Sequence, residues 1–270
     1  MADKPTPKAA NRYAQLIERV FLSRHVTGAD TVTFDRQDIT AAAEALGVTL
    51  PKNLGDVIYS FRYRVSLPDS VAQLAPSGKQ WLIRPAGRSK YCFAAVVPLH
   101  IAPNPALAET KVPDATPGII AMYALSDEQA LLAKLRYNRL VDVFTGVACY
   151  SLQSHLRTFV PGIGQTETDE VYIGLDKRGA HFVFPVQAKG GRDALGPVQV
   201  EQDIAMCQAR FPNLICRPIA AQFVETDLIA LLELEETDQG IRIGSERHYR
   251  LVHPDALSDE DVAAYRARPD

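Results

Sequence analysis

The chain has 270 residues, 47% of them hydrophobic, enough for one large core or two modest ones, and two domains are expected. Its net charge of −3 does not mark a general polyanion binder, but the charge is uneven: residues 1–100 hold 13 Lys+Arg against 8 Asp+Glu, and the remainder is acidic. The four cysteines form no CxxC pair, which argues against a structural zinc; no apolar stretch has the length of a membrane span, and the start MADKPTPKAANRY lacks a secretory apolar region, so a cytoplasmic protein is expected.

In the first part, Tyr13, Leu16, Ile17, Val20 and Phe21 form one helical stripe. A second helix, ITAAAEALG, is expected with Asp38 as its N-cap and Gly47 as its stop. Pro51 is placed in the first turn of a third, KNLGDVIYSFRYR, whose aromatics Tyr59, Phe61 and Tyr63 are read as core. Two strand-like runs, QWLIRP and KYCFAAVV, follow, linked by AGRS. Three helices and such a hairpin resemble a winged helix-turn-helix domain, here residues 1–97. That resemblance implies contact with double-stranded DNA through the third helix and the wing. Lys52, Asn53, Arg62, Arg64, Arg88 and Lys90 are the candidates. Basic residues at a helix end also stabilise its dipole, and winged helices also dock proteins.

Residues 98–118, with five prolines, read as a linker, and 119–270 as the second domain. Ser126 and Gln129 open a capping box, and a long helical pattern runs on through LLAKLRYNRLVDVFTGVACYSLQSHLRT, with Gly146 as a bend. Its polar positions Glu128, Arg136, Asn138, Arg139, His155 and Arg157 are rim candidates or simply a solvated face.

The chemistry concentrates in QTETDEVYIGLDKRGAHFVFPVQAKGG, two strands around a Lys-Arg-Gly loop in which Gly179 supplies a positive φ. That loop sets Asp176 opposite Ala180, hence Asp169 opposite Gln187 and Glu167 opposite Lys189. The period of two then puts all four side chains on one face, with Glu170 on the other. Carboxylate and amide oxygens beside an ammonium suit a hard divalent cation and the hydrolysis it assists. A salt-bridge ladder from Glu167 to Lys189 is the plainer alternative. After the hairpin come a helix, PVQVEQDIAMCQARF, then strands in LICRPIAAQF, DLIALLELEE and IRIGSERHYRLV, and a last helix capped by Ser258.

An acid heading one strand, a hairpin, then acid-x-Lys ending the next resembles the PD-(D/E)xK, or restriction-endonuclease-like, nucleases. Asp169 and Gln187-Ala188-Lys189 take those positions, with Thr168 in place of the proline and Gln187 in place of the acid. The resemblance implies an α/β (α+β) domain with an αβββαβ core and Mg2+ as cofactor, Mn2+ substituting. It implies Asp169, Gln187 and the Ala188 carbonyl as cation ligands, Lys189 at the attacking water, and Glu167 or Glu170 as a second ligand or base. Gln199 and Gln202 on the following helix are candidates for support. The expected activity is a type II restriction endonuclease, a homodimer because two strands are cut. The rival readings are a winged-helix regulator with an inactive nuclease-like domain, and a nuclease for modified or branched DNA.

Overall fold

The computed structural model describes residues 12–63, 65–87, 89–99, 101–123, 128–190, 195–237 and 240–268. It is a mixed α and β structure in two compact units, one of the residues up to Pro98 together with Pro161–Gly164, the other built from Leu99–Val160 and from Gln165 onward.

The first unit runs α1 (Arg12–Arg24), β1 (Thr31–Asp35), α2 (Arg36–Leu46), α3 (Gly55–Tyr63), α4 (Asp69–Ala72), β2 (Gln80–Pro85) and β3 (Lys90–Val96). Its antiparallel sheet has the order β1-β3-β2. QWLIRP and KYCFAAVV supply β2 and β3 as expected, and the stripe Leu16, Ile17, Val20 and Phe21 is buried. Phe21 meets Trp81 and Phe93 edge-on, with centroids 5.2 and 5.0 Å away.

Four details differ from the sequence reading. β1 was not foreseen, although TVTFD alternates, burying Val32 and Phe34. Strand β1 delivers Asp35, not Asp38, as the N-cap of α2; Asp38 is the reciprocal residue of the box, its Oδ2 accepting from the Asp35 N–H at 2.8 Å. Helix α3 begins at Gly55 rather than at Pro51, and the Asn53 Oδ1 accepts from the Gly55 N–H. Tyr59, expected in the core, is 45% exposed, while Phe61 is buried.

The second unit contains β4 (Glu109–Pro113), α5 (Gly118–Tyr123), α6 (Glu128–Tyr137), α7 (Leu140–Thr145), β5 (Ala148–Val160), β6 (Gly164–Leu175), β7 (His181–Lys189), α8 (Pro197–Arg210), β8 (Ile215–Cys216), β9 (Ile219–Phe223), β10 (Leu228–Thr237), β11 (Gly240–Val252) and α9 (Asp259–Arg266). The sheet order is β4-β11-β10-β9-β7-β6-β5, with β8 beside β7. β7 and β9 are parallel, so α8 forms the crossover between them.

Residues 98–118 are therefore not a free linker. β4 joins the sheet parallel to β11, and Ile101 bridges Leu195. The long helix also fails. It stops at Arg139 and Gly146, both left-handed, and CYSLQSHLRT belongs to β5. The expected cap Ser126 lies outside the described residues.

β10 is buried on both faces, as its continuous apolar run requires of a central strand. Ile229 and Leu231 pack with Leu131, Leu132 and Leu135 of α6; Ala230 and Leu232 pack with Val200 and Ile204 of α8. Because neighbouring strand residues point to opposite faces, α6 and α8 cover opposite sides of the sheet. Among the described residues no helix is long and apolar enough to cross a membrane.

Candidate functional site

The hairpin holds the expected register. Asp176 N–H donates to the Ala180 carbonyl, Gly179 takes φ +83°, and the ladder runs from Leu175↔His181 to Glu170↔Val186. The Asp176 carboxylate accepts from the Arg178 and Ala180 N–H groups, which holds its carboxyl below the usual range and ties the loop.

Beyond Glu170 the two strands depart from simple alternation. Glu170 accepts from Ser151 Oγ at 2.5 Å and lies 3.5 Å from Arg136 of α6. Thr168, two residues earlier, instead donates from Oγ1 to Asp203 of α8 at 2.5 Å. Residues two apart in a regular strand share a face, so β6 changes face between them, at Asp169. There the Asp169 Oδ2 accepts the Ala188 N–H at 2.8 Å, a side chain taking a backbone donor across the hairpin.

This face change decides which of the expected residues meet. Asp169 is joined to the Gln187-Ala188-Lys189 segment, since it bonds Ala188 and its acidity responds to the Lys189 charge. Burial raises the Asp169 carboxyl above its ordinary value, and the Ala188 N–H and Lys189 oppose that rise. The expected Glu167–Lys189 pair is not made. Glu167 turns to β5, with Arg157 Nη2 at 3.0 Å and His155 Nδ1 at 3.7 Å. Lys189, 13% exposed, lies 3.6 Å from Glu128 Oε1 at the start of α6. The ladder of surface charges across the hairpin is thereby also set aside. Glu170 is fully buried in its own polar group with Ser151 and Arg136, on the opposite side from Asp203.

Gln187 is 3% exposed, and its amide is fastened by the nitrogen: Nε2 lies 3.0 Å from Asp203 Oδ2, 3.3 Å from Oδ1 and 3.2 Å from the Glu167 carbonyl. Asp203 itself is 2% exposed. Burial pushes its carboxyl up to about 7 against the hydrogen bonds from Thr168 and Gln187, and the nearby Asp169 charge pushes the same way.

Asp203 is the polar residue the sequence reading missed, and Thr168, noted only in place of the proline, is its hydroxyl partner. One signal was present: on α8, Val200, Ile204 and Cys207 make an apolar stripe at helical spacing, and Asp203 lies within it. An acid on a buried stripe requires partners. Of the two glutamines chosen instead, Gln199 Oε1 accepts from Gly196 N–H at the helix start, and Gln202 is buried.

Other candidates have structural partners. Asn138 is buried and binds the Ala115 N–H, Asp114 and Thr116, fastening the segment after β4 to the end of α6. Arg139 pairs with Asp142, and His155 Nε2 contacts Gln129 at 2.9 Å. In the first unit Lys52 and Lys90 are exposed, Asn53 caps α3, and Arg62 is half-buried with Nε and Nη2 shielded from solvent. Arg64 and Arg88 lie outside the described residues.

Among the described residues no three His, Cys, Asp or Glu side chains form a cation cage. The oxygens near Asp169 still suit Mg2+ by type. Asp169 has one carboxylate oxygen not used by Ala188, Gln187 has its amide oxygen, and a Mg2+ that keeps several waters needs only one or two carboxylates. Ala188 is fully buried in the parallel ladder opposite Ala221.

No protein-family model, curated protein or solved structure matches the chain.

Proposed function

We propose that the chain is a Mg2+-dependent endonuclease for double-stranded DNA, of the restriction type. The observation that carries the reading is the Asp169–Ala188 bond, which sets the acid of one strand against Gln187-Ala188-Lys189 of the next. The order of elements supports it: α6 and α7, three successive neighbouring strands, the α8 crossover and parallel β9 follow the αβββαβ order of restriction-endonuclease-like domains. The first unit supports a winged-helix reading in the same way: α1, α2 and α3 precede the β2-β3 hairpin, with the short α4 inserted before β2 and β1 added as a third strand.

In this reading Asp169 and the Gln187 amide oxygen hold the cation, together with the Ala188 carbonyl. When bound, Mg2+ polarises a phosphate oxygen and acidifies a water. Lys189 orients the attacking water and steadies the charge that develops on the phosphate. Glu128, beside Lys189, takes the supporting place that Glu167 does not fill. Lys52 and Lys90 are the exposed cations proposed to meet DNA phosphates, and two sites in a homodimer would cut both strands.

The test is cleavage of unmodified, methylated and branched DNA with Mg2+ or Mn2+, by the parent, Asp169→Asn and Lys189→Ala. Metal-dependent cutting lost in both variants is expected. Gln187, neutral where the nuclease pattern has an acid, favours one rival, a DNA-binding regulator with an inactive nuclease-like domain. A folded parent that binds DNA and cuts none of these substrates would establish that rival instead.

A further inference from the structure

Asp203 lies on the apolar stripe of α8, yet both of its hydrogen-bond donors, Thr168 and Gln187, belong to the hairpin. Burying a carboxylate is unfavourable unless such partners are built for it. The orientation of the Gln187 amide follows from chemistry. The Glu167 carbonyl and the Asp203 carboxylate are both acceptors, so the end between them must be the NH2 group. The amide oxygen is then the end left over. An amide that donates to a carboxylate also carries more negative charge on its oxygen, as carboxylates behind metal-binding histidines strengthen those ligands.

We infer that Asp203 is a positioning residue for a divalent cation: it anchors Gln187 by its nitrogen, leaves the oxygen to ligate, and supplies from behind the negative charge that a neutral amide lacks. The inference rests on the metal-dependent reading above. It assigns the missing acid of the acid-x-Lys segment to α8, one layer away from the strand.

The test is the affinity of the full chain for Mn2+ alone, read from the paramagnetic resonance signal of free Mn2+. The proteins are the parent, Asp169→Asn, Asp203→Asn, Gln187→Ala and the double variant Gln187→Ala/Asp203→Asn, with the melting temperature of each measured in EDTA. Asparagine at 203 can keep its oxygen on Gln187 and donate to the Thr168 hydroxyl, so that variant removes charge rather than the bond.

The parent should bind Mn2+ and Asp169→Asn should not. Asp203→Asn should weaken binding about 10-fold without lowering the melting temperature, and should add less than about 2-fold in the Gln187→Ala background. Unchanged affinity in Asp203→Asn, or the same loss in the Gln187→Ala background, overturns the inference while the metal reading stands. A melting temperature that falls together with affinity replaces positioning with a purely structural role. A parent that binds no Mn2+ overturns both readings.

Discussion

Replacing Asp203 with asparagine should make the metal-free protein more stable, and increasingly so as pH rises. The folded carboxyl titrates near 7 because it is buried, against about 3.9 in an unfolded chain. Below about pH 4 the group is protonated in both states, so its ionisation costs the fold nothing. Between about pH 4 and pH 7 the unfolded state ionises first, and stability falls. Above about pH 7 both states are ionised and the penalty is complete. Three units at about 1.4 kcal/mol each give about 4 kcal/mol, of which about 1.5 kcal/mol is already present near pH 5. Urea unfolding in EDTA at pH 5 and pH 8 should therefore show the variant's advantage growing by about 2.5 kcal/mol between them. The comparison cancels groups common to both proteins. An advantage that does not change with pH would refute the buried-acid argument.

Gly174→Ala should destabilise by about 1–3 kcal/mol, because a Cβ there would sit 2.7 Å from both Phe184 Cε2 and Val147 Cγ1; an unchanged melting temperature would contradict that packing. Asp35→Ala removes acceptors for the Gln37 and Asp38 N–H groups and should cost the first unit about 1 kcal/mol, read through the fluorescence of Trp81, the sole tryptophan. DNA affinity should fall with salt, and Lys52→Ala should reduce the slope of log affinity against log salt by about 1; a parent slope near zero would remove the DNA-binding premise.

What could be read from the sequence was local. The Lys-Arg-Gly loop fixes its own register through Gly179, so the pairing of β6 with β7 followed from a few adjacent residues. β5 was illegible for the opposite reason. CYSLQSHLRT shows little inward alternation because Tyr150, Leu152 and His155 stay exposed on an edge strand, and its conformation is set by pairing with β6. β4 was hidden similarly, since a short segment among prolines becomes a strand only when β11, near the far end of the chain, lies beside it. The site was half legible. Asp169 and Ala188 do meet, but period-two reasoning has no means of seeing the face change at Asp169 that sends Glu167 to Arg157 and Thr168 to Asp203.

That face change also bears on the most conspicuous departure from the nuclease pattern, the glutamine at 187. Its position adjoins two acceptors, the Glu167 carbonyl and the Asp203 carboxylate, and an amide satisfies both with one nitrogen. Glutamate has the same shape and no donor. Gln187→Glu would lose bonds to a carbonyl and to a charged group, and would set two buried carboxylates against each other. The loss should be about 3 kcal/mol near pH 8, and smaller near pH 5, where the two acids can share a proton. Urea unfolding of the metal-free variant at both values reads this directly. A Gln187→Glu protein as stable as its parent at pH 8 would mean that the amide nitrogen is not needed between these acceptors. The expected loss would instead mean that glutamine stands where the acid at 203 leaves no room for a second one.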